Sequence, residues 1–310
     1  MAVAESRLVE LVASLNSVQK DEAMQSALTI AAIFQGETTT TSGRVYAQVD
    51  LADSDLSDEM RMEGTIRGPF NQYATTLPST IPLQAVASNE GFTASAIVPD
   101  PCTWTTDLPS TYEVALRLMR GNEEVASSTY MFGFRKFGVV GNSFLHEGKR
   151  WVFRGASVGD SLPADADGIQ PWRESRMACV VSNPTDEFLR LASEFGLMVM
   201  AEYDSGDINL VQERLRALTA WPAVVAAKTV LSVEELDRRR LGGLMFSSSQ
   251  GDGDFSLAVV DELPEDCAKP VIVSDNVEAG AVAELRRACE KLQGKMAPRE
   301  FAGFVVRVGG

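Results

Sequence analysis

The chain has 310 residues, which predicts about two domains, and its 45% hydrophobic content is ordinary for a globular protein with packed cores. Its formal net charge of −15 argues against a nucleic-acid partner, because phosphate binding needs clustered Lys and Arg side chains. With no apolar segment long enough to cross a bilayer and no signal-peptide pattern at its start, it is expected to be cytoplasmic, or exported if a leader has been removed.

The first part of the chain predicts an all-β domain. Residues 1–24 form an amphipathic or irregular lead-in, to which we assign no function. Between residues 25 and 140, short alternating runs separated by turn residues predict seven strands of an immunoglobulin-like antiparallel β-sandwich. The runs are ALTIAAIF, GRVYAQVD, MRMEGTIRG, IPLQAVA, FTASAIVP, TYEVALRLM and VASSTYMFGF.

From residue 141 to 310 the rhythm changes to apolar runs that alternate with helical patterns. Such alternation predicts parallel strands joined by crossover helices. The seven strand candidates are WVFRGAS, ACVVS, LMVMAEYD, AVVAAKTVL, LGGLMFSS, KPVIVSD and FAGFVVRV. Seven units predict a reduced (β/α) barrel of the TIM type, one strand short. The fold class is therefore multi-domain, β followed by α/β.

Cysteine and histidine usage argues against a metal or a cofactor. Cys102, Cys179, Cys267 and Cys289 are widely spaced and form no C-x-x-C pair, so they predict buried free thiols. The single histidine, His146, precedes a Gly that predicts a tight turn between two strands. One histidine excludes a two-histidine metal site and leaves a Ser-His-Asp triad without a well-placed base.

Four motifs at the junction of the two halves carry a family resemblance. In order along the chain they are Trp104 with Pro109 and Tyr112, the FGFR strand at 132–135, the F-L-x-x-G-K hairpin at 144–149, and Arg154-Gly155. In this order and spacing they resemble the join between sandwich and barrel in glycoside hydrolase family 2, the family of β-galactosidases, β-glucuronidases and β-mannosidases. The resemblance covers roughly residues 25–310, and the family's N-terminal sugar-binding sandwich has no counterpart in this sequence.

The resemblance also implies that the catalytic pair is degenerate. Retaining glycosidases use two carboxylates about 5–5.5 Å apart, as acid/base and as nucleophile. Aligned on the family, the acid/base positions are Leu231 and Ser232, which cannot donate a proton near neutral pH. The nucleophile position is Asp275, one methylene shorter than the family's Glu. A sugar-stacking Trp of the last strand would fall near Val306 or Arg307.

Several side chains remain candidates for a site. Asp275 could cap the following helix, bind a ligand or act as a nucleophile, and Glu234 and Glu235 could replace the lost acid if the alignment shifts by two or three residues. The predicted ligand contacts are Arg154, Trp172, Glu202 and Asp204.

We therefore expect a degenerate, non-catalytic relative of family 2 that binds a carbohydrate or a protein partner. The alternative is an active β-glycosidase that uses Asp275 as nucleophile and Glu202, Glu234 or Glu235 as acid/base. Two acidic side chains within roughly 6 Å in a concave barrel mouth would favour the enzyme, and a filled mouth would favour an interaction protein. The sequence leaves the sugar and the oligomeric state open.

Overall fold

The computed structural model of the chain describes residue 28 and residues 32–50, 59–87, 91–159, 161–236, 241–264, 268–278 and 280–309. The predicted lead-in at residues 1–24 lies outside these ranges, and the predicted domain boundaries stay predictions. Within the described ranges, no helix is long and apolar enough to cross a membrane.

The first half is a sandwich of two four-stranded antiparallel sheets. One sheet contains β1 (Ala32–Thr38), β2 (Ser42–Val49), β5 (Gln84–Val86) and β6 (Phe92–Pro99), in the order β1-β2-β6-β5. The other contains β3 (Met60–Phe70), β4 (Ser79–Pro82), β7 (Thr111–Arg120) and β8 (Glu123–Phe132), in the order β4-β3-β7-β8. Alternate side chains of the strands fill one core between the sheets, as the sequence alternation predicted.

One predicted strand of the sandwich is in fact two. The run IPLQAVA divides into the end of β4 and the whole of β5, which lie at the edges of opposite sheets. The chain crosses between the sheets at Leu83, which is buried and donates its backbone N–H to the Gly64 carbonyl at 2.9 Å. Pro82, which has no N–H to donate, ends β4 at the sheet edge.

A three-stranded antiparallel sheet joins the sandwich to the second half. Its strands are β9 (Phe137–Val140), β10 (Ser143–His146) and β11 (Lys149–Trp151). The predicted tight turn lies between β10 and β11, where Glu147 and Gly148 have φ of 51° and 74°. Two successive left-handed residues are typical of a two-residue hairpin turn.

The second half is a parallel β-barrel with eight strands, so the prediction of seven strands is corrected. The strands are β12 (Phe153–Ser157), β13 (Ala178–Ser182), β14 (Val199–Tyr203), β15 (Val224–Thr229), β16 (Met245–Ser248), β17 (Ser256–Val259), β18 (Val271–Val277) and β19 (Gly303–Val308). Their spatial order is β16-β15-β14-β13-β12-β19-β18-β17. The segment just before β17 contacts β16. The backbone N–H groups of Asp254 and Phe255 both donate to the Phe246 carbonyl.

The barrel is reduced in helices rather than in strands. The described helices are α1 (Ala166–Glu174), α2 (Asp186–Phe195), α3 (Ile208–Leu218) and α4 (Val282–Met296). Asp165, Thr185 and Asp207 cap the first three with side-chain oxygens. In the described part of the chain between β15 and β18, the only helical segment is one 3₁₀ turn, Val233–Glu235.

A buried arginine fastens the sandwich to the barrel. Arg135, two per cent exposed, donates to the carbonyls of Trp221 at 2.7 Å and Val224 at 2.6 Å. It also donates to the carbonyls of Thr219 and Gly243, at 3.3 and 3.2 Å. Burial lowers the pKa of Arg135 to about 10, so its guanidinium stays charged at neutral pH. The arginine therefore fixes the start of β15 against the end of the sandwich.

Candidate functional site at the barrel mouth

The carboxyl ends of the eight barrel strands surround a mouth lined by polar side chains. Paired residues of neighbouring parallel strands project to the same face of the sheet, so the strand register identifies the lining. Glu202 pairs with Ser182 and Lys228, and Lys228 pairs with Ser247. On the other side, Arg307 pairs with Ser157 and Asn276. Of these paired residues, Glu202 is acidic and Lys228 and Arg307 are basic, and the three lie on three different strands.

An ion pair crosses the mouth. Arg307 on β19 donates from Nη2 to Glu202 Oε1 at 2.6 Å and from Nη1 to Oε2 at 3.0 Å. Two strands, β12 and β13, separate β19 from β14, so the pair spans the lumen. The hydrogen bonds to Glu202 raise the pKa of Arg307 above its ordinary value. A bidentate arginine engages both carboxylate oxygens, and Glu202 is only 4% exposed.

Lys228 and Asp204 extend this pair towards solvent. The Lys228 ammonium lies 3.9 Å from Glu202 Oε1 and 4.0 Å from Asp204 Oδ1. The Asp204 side chain is 69% exposed, so its attraction to Lys228 is largely screened by water. Glu202 is therefore held between two cations, while Asp204 lies at the rim.

Asp275 lies on the other face of the barrel wall. It pairs with Val306 in the register, whereas its neighbour Asn276 pairs with Arg307, which points into the mouth. Asp275 lines a cavity of about 630 Å³ with Val306 and residues of α4, on the helix side of the sheet. Its Oδ1 accepts the N–H of Asn276 at 2.9 Å. The structure does not bring Asp275 together with Glu202.

The segment after β15 offers a buried apolar side chain and a short turn. Leu231 is buried, and Ser232 donates its backbone N–H to Glu235 Oε2 at 2.7 Å. The Ser232 hydroxyl accepts the N–H of Glu234 and also bonds Asp252. Glu235 thus closes the 3₁₀ turn, and the Glu234 side chain is exposed. No hydrogen bond or ion pair among the described residues links either glutamate to Glu202.

Arg154 and Trp172 lie away from the mouth. Arg154 pairs with Phe304 and projects towards α4, where its Nη2 donates to Gln293 Oε1 at 2.9 Å. Trp172 lies on α1, not in a loop, and is 4% exposed. It shares the buried face of that helix with Ile169, three residues earlier, so it offers no open ring face to a sugar. In this structure neither Arg154 nor Trp172 lies where it could contact a ligand in the mouth, which is the role that the sequence predicted.

Sequence reasoning missed the two cationic side chains of the mouth. Lys228 was not singled out, and Arg307 was considered only as the place of an absent Trp. The signal that identifies them is positional, because a charged residue near the end of a buried parallel strand must point into the mouth or towards the helices. Among the described residues, no group of three or more His, Cys, Asp or Glu side chains is arranged to hold a metal ion.

Comparison with known proteins agrees with this architecture. Residues 28–135 match the family model described as "Glycosyl hydrolases family 2". The comparison with curated proteins found no match.

Solved structures of similar fold are longer proteins. A β-glycosidase from Bacteroides vulgatus superposes with a TM-score of 0.57 at 14% identity, over 80% of this chain and 38% of its own. A Bacteroides uniformis β-glucuronidase gives 0.58 at 14% identity, over 89% and 45%. A family 2 member from Bacteroides cellulosilyticus gives 0.59 at 14% identity, over 89% and 45%. The chain thus spans less than half the length of these proteins, and at such identity the likeness concerns the fold. Residues 28–135 thus match the model of glycoside hydrolase family 2, and the chain has the sandwich-and-barrel fold of these solved structures.

Proposed function

We propose that this protein is a non-catalytic relative of the family 2 glycosidases, which binds a carbohydrate or a protein partner with a retained fold. The observation that carries the proposal is the bidentate pair of Arg307 with Glu202 across the mouth. Hydrolysis with retention needs one carboxylate free to attack and another able to donate a proton. Here both oxygens of Glu202, the one buried acid in the part of the chain that the structure describes, accept hydrogen bonds from a guanidinium.

The other candidate acids support the same conclusion. Asp275 faces the helix layer, and Leu231 and Ser232 replace the family's proton donor. Glu235 is engaged in its own turn. A general acid must lie within hydrogen-bond reach of the departing oxygen, next to the nucleophile. None of these side chains forms such a pair with Glu202.

A carbohydrate is the ligand that the proposal favours. Solved structures of similar fold include a β-glycosidase and a β-glucuronidase. The mouth of this barrel keeps polar side chains at its rim, including Asp204, Lys228 and Asn276. A sugar bound there would contact this rim above the Arg307–Glu202 pair, and we expect weak affinity because the pair occupies the lumen.

Activated glycosides test the loss of catalysis. A dinitrophenyl leaving group needs little protonation, so a competent nucleophile alone would form a glycosyl-enzyme. We expect intact-protein mass spectrometry to find no covalent adduct after incubation with dinitrophenyl glycosides of several sugars. Asp275→Glu should also give no turnover of ordinary glycosides, because the longer side chain still faces α4 and no proton donor lies at the mouth. An adduct mapped to Asp275 or Glu202 would favour the alternative, an active β-glycosidase with a rearranged carboxylate pair.

Arg307→Met provides a matched variant for the same assay. If the arginine alone blocked the site, its removal would free Glu202 and restore an adduct. We expect none, because the acid and the nucleophile of the family are both missing from the mouth. An adduct on Glu202 in this variant would mean that the protein is a blocked enzyme rather than one that has lost its catalytic pair.

A further inference from the structure

A second concave site lies at the opposite end of the barrel from the mouth. A cavity of about 400 Å³ is lined by β10, β11 and the turn between them, by the loop at 105–107, and by residues at the start of β13 and just before β14. This volume is near the lower end of the range for small-molecule sites, roughly 300–1,000 Å³. The cavity therefore suits a single small ligand rather than a chain of sugars.

The side chain of one glutamate, Glu147, forms part of its wall. Glu147 is in the β10–β11 turn, with φ of 51° and a backbone N–H bonded to the Lys136 carbonyl at 2.9 Å. Its Oε1 is buried and has no hydrogen-bond partner among the described residues. A buried acceptor without a donor is costly. Because Oε1 has almost no solvent-accessible surface, a ligand in the cavity would bond this carboxylate through Oε2, or after a rotation of the side chain that exposes Oε1.

Aromatic rings form another part of the wall. Trp151 is half-buried, and its ring meets Phe137 edge-to-face with centroids 5.0 Å apart. His146 packs against the same Phe137 at 5.0 Å. Burial lowers the pKa of His146, against the opposing effect of Glu147 and Asp107, so near neutral pH the imidazole is uncharged. A neutral imidazole can both donate and accept a hydrogen bond.

Charged groups of both signs complete the rim. Asp107 comes from the loop at 105–107, and Lys149 and Arg176, whose side chains are exposed, also line the cavity. Arg150, also on the rim, is already paired with Glu300 at 2.8 Å. The lining of the cavity thus includes hydrogen-bond acceptors, hydrogen-bond donors and an aromatic ring.

We propose that this cavity binds one polyhydroxylated molecule of monosaccharide size. Vicinal hydroxyls donate to carboxylates and accept from Lys or Arg, and the apolar face of a sugar ring packs on an aromatic side chain. Glu147 and Asp107 would accept from hydroxyls, Lys149 and Arg176 would donate, and Trp151 would supply the apolar surface. The proposal does not depend on whether the mouth is catalytic.

Titration with simple sugars tests the site. The probes are glucose, galactose, mannose, glucuronate and N-acetylglucosamine, each titrated to millimolar concentrations and followed by saturation-transfer NMR. We expect saturable binding of at least one sugar. Glu147→Gln should weaken it by about tenfold or more, because the amide keeps an acceptor oxygen but loses the negative charge that strengthens a hydrogen bond from a hydroxyl. Asp107→Asn, an exposed lining residue, should weaken it to a smaller extent.

The control is Glu123→Gln, the same chemical change at an exposed position in the sandwich. This variant should bind as the wild type does. The proposal is overturned if no sugar binds saturably, or if the affinity is unchanged in both Glu147→Gln and Asp107→Asn. Loss of binding through Glu202→Gln, with Glu147→Gln unaffected, would move the site to the mouth and also overturn it. The adduct experiment detects a covalent reaction at the mouth, whereas the titration measures binding in the second cavity. Failure of one proposal can therefore be distinguished from failure of the other.

Discussion

Replacing Arg307 with Met should destabilise the barrel, because it leaves a buried carboxylate without its main partner. Glu202 has a side chain only 5% exposed and accepts two hydrogen bonds from Arg307. Removing one member of a buried pair costs roughly 3–5 kcal/mol in general, most of it the penalty of the charge left behind. The cost here depends on what else can compensate Glu202.

Two features of the structure reduce that cost. The Arg307 side chain is 31% exposed, so water can reach the vacated space, and Lys228 remains 3.9 Å from Glu202. Two opposite charges about 4 Å apart interact by roughly 4 kcal/mol at an effective dielectric constant of 20, before desolvation is subtracted. We therefore expect Arg307→Met to lower the free energy of unfolding by about 2 kcal/mol, below the general range.

The assay is urea unfolding of four proteins: the wild type, Arg307→Met, Glu202→Leu and the double variant. Far-UV circular dichroism and tryptophan fluorescence should report coincident transitions before free energies are compared, because a two-domain chain need not unfold in one step. The double variant should be more stable than the sum of the single effects predicts, with a coupling of about 1–2 kcal/mol.

Arg150→Met is the matched control. Arg150 pairs with Glu300 at 2.8 Å, but the two side chains are 52% and 69% exposed. Such an exposed pair contributes about 0–1 kcal/mol, so this variant should unfold almost as the wild type does. If Arg307→Met costs no more than Arg150→Met, or if the double variant is additive, the pair does not hold the mouth and our account of the site is wrong.

Three further outcomes are expected. In urea unfolding, Arg135→Met should lower the free energy of unfolding by about 3 kcal/mol, because four carbonyls at the junction lose their bonds to the buried guanidinium. Because burial lowers the pKa of His146 below its ordinary 6.5, the unfolded chain binds more protons near that pH; acidification from neutral pH should lower the melting temperature, and less so in His146→Asn. Trp172→Ala should cost roughly 3–5 kcal/mol in urea unfolding, since the ring is buried, and a small cost would contradict its core position.

Strand and helix periodicity predicted most of the fold because the apolar spacing in those elements is unbroken. Strand β17 was missed because it has only four residues and follows a run rich in Ser, Gly and Asp, which has the composition of a loop. Helix α1 was missed because Gly168 and Pro171 lie inside it. Its helical form depends on the Asp165 cap and on burial of Trp172, which local composition does not reveal.

The site was harder to predict than the fold because it depends on register. A shift of one residue moves a strand side chain from the lumen to the helix layer. Family spacing identified Asp275 as the residue aligned with a nucleophile, but the pairing with β19 turns Asn276, and not Asp275, towards the mouth. Arg307 and Glu202 are 105 residues apart, so their pairing follows from barrel closure and not from any local pattern.

The motifs that carry the family resemblance are residues of the junction, and this explains why fold and chemistry can separate. Trp104 is 1% exposed and donates to the Ser193 carbonyl of α2 at 2.8 Å. Tyr112 accepts the Cys102 N–H at 2.9 Å, and a side chain at Gly133 would collide with Pro222 at 2.6 Å. In this chain the Trp104, Gly133 and Arg135 contacts hold the sandwich against the barrel. None of them touches the mouth. Substitutions at the strand ends can therefore change the side chains of the mouth without loosening the junction, and a chain can match the family model in its sandwich while an ion pair crosses its barrel mouth.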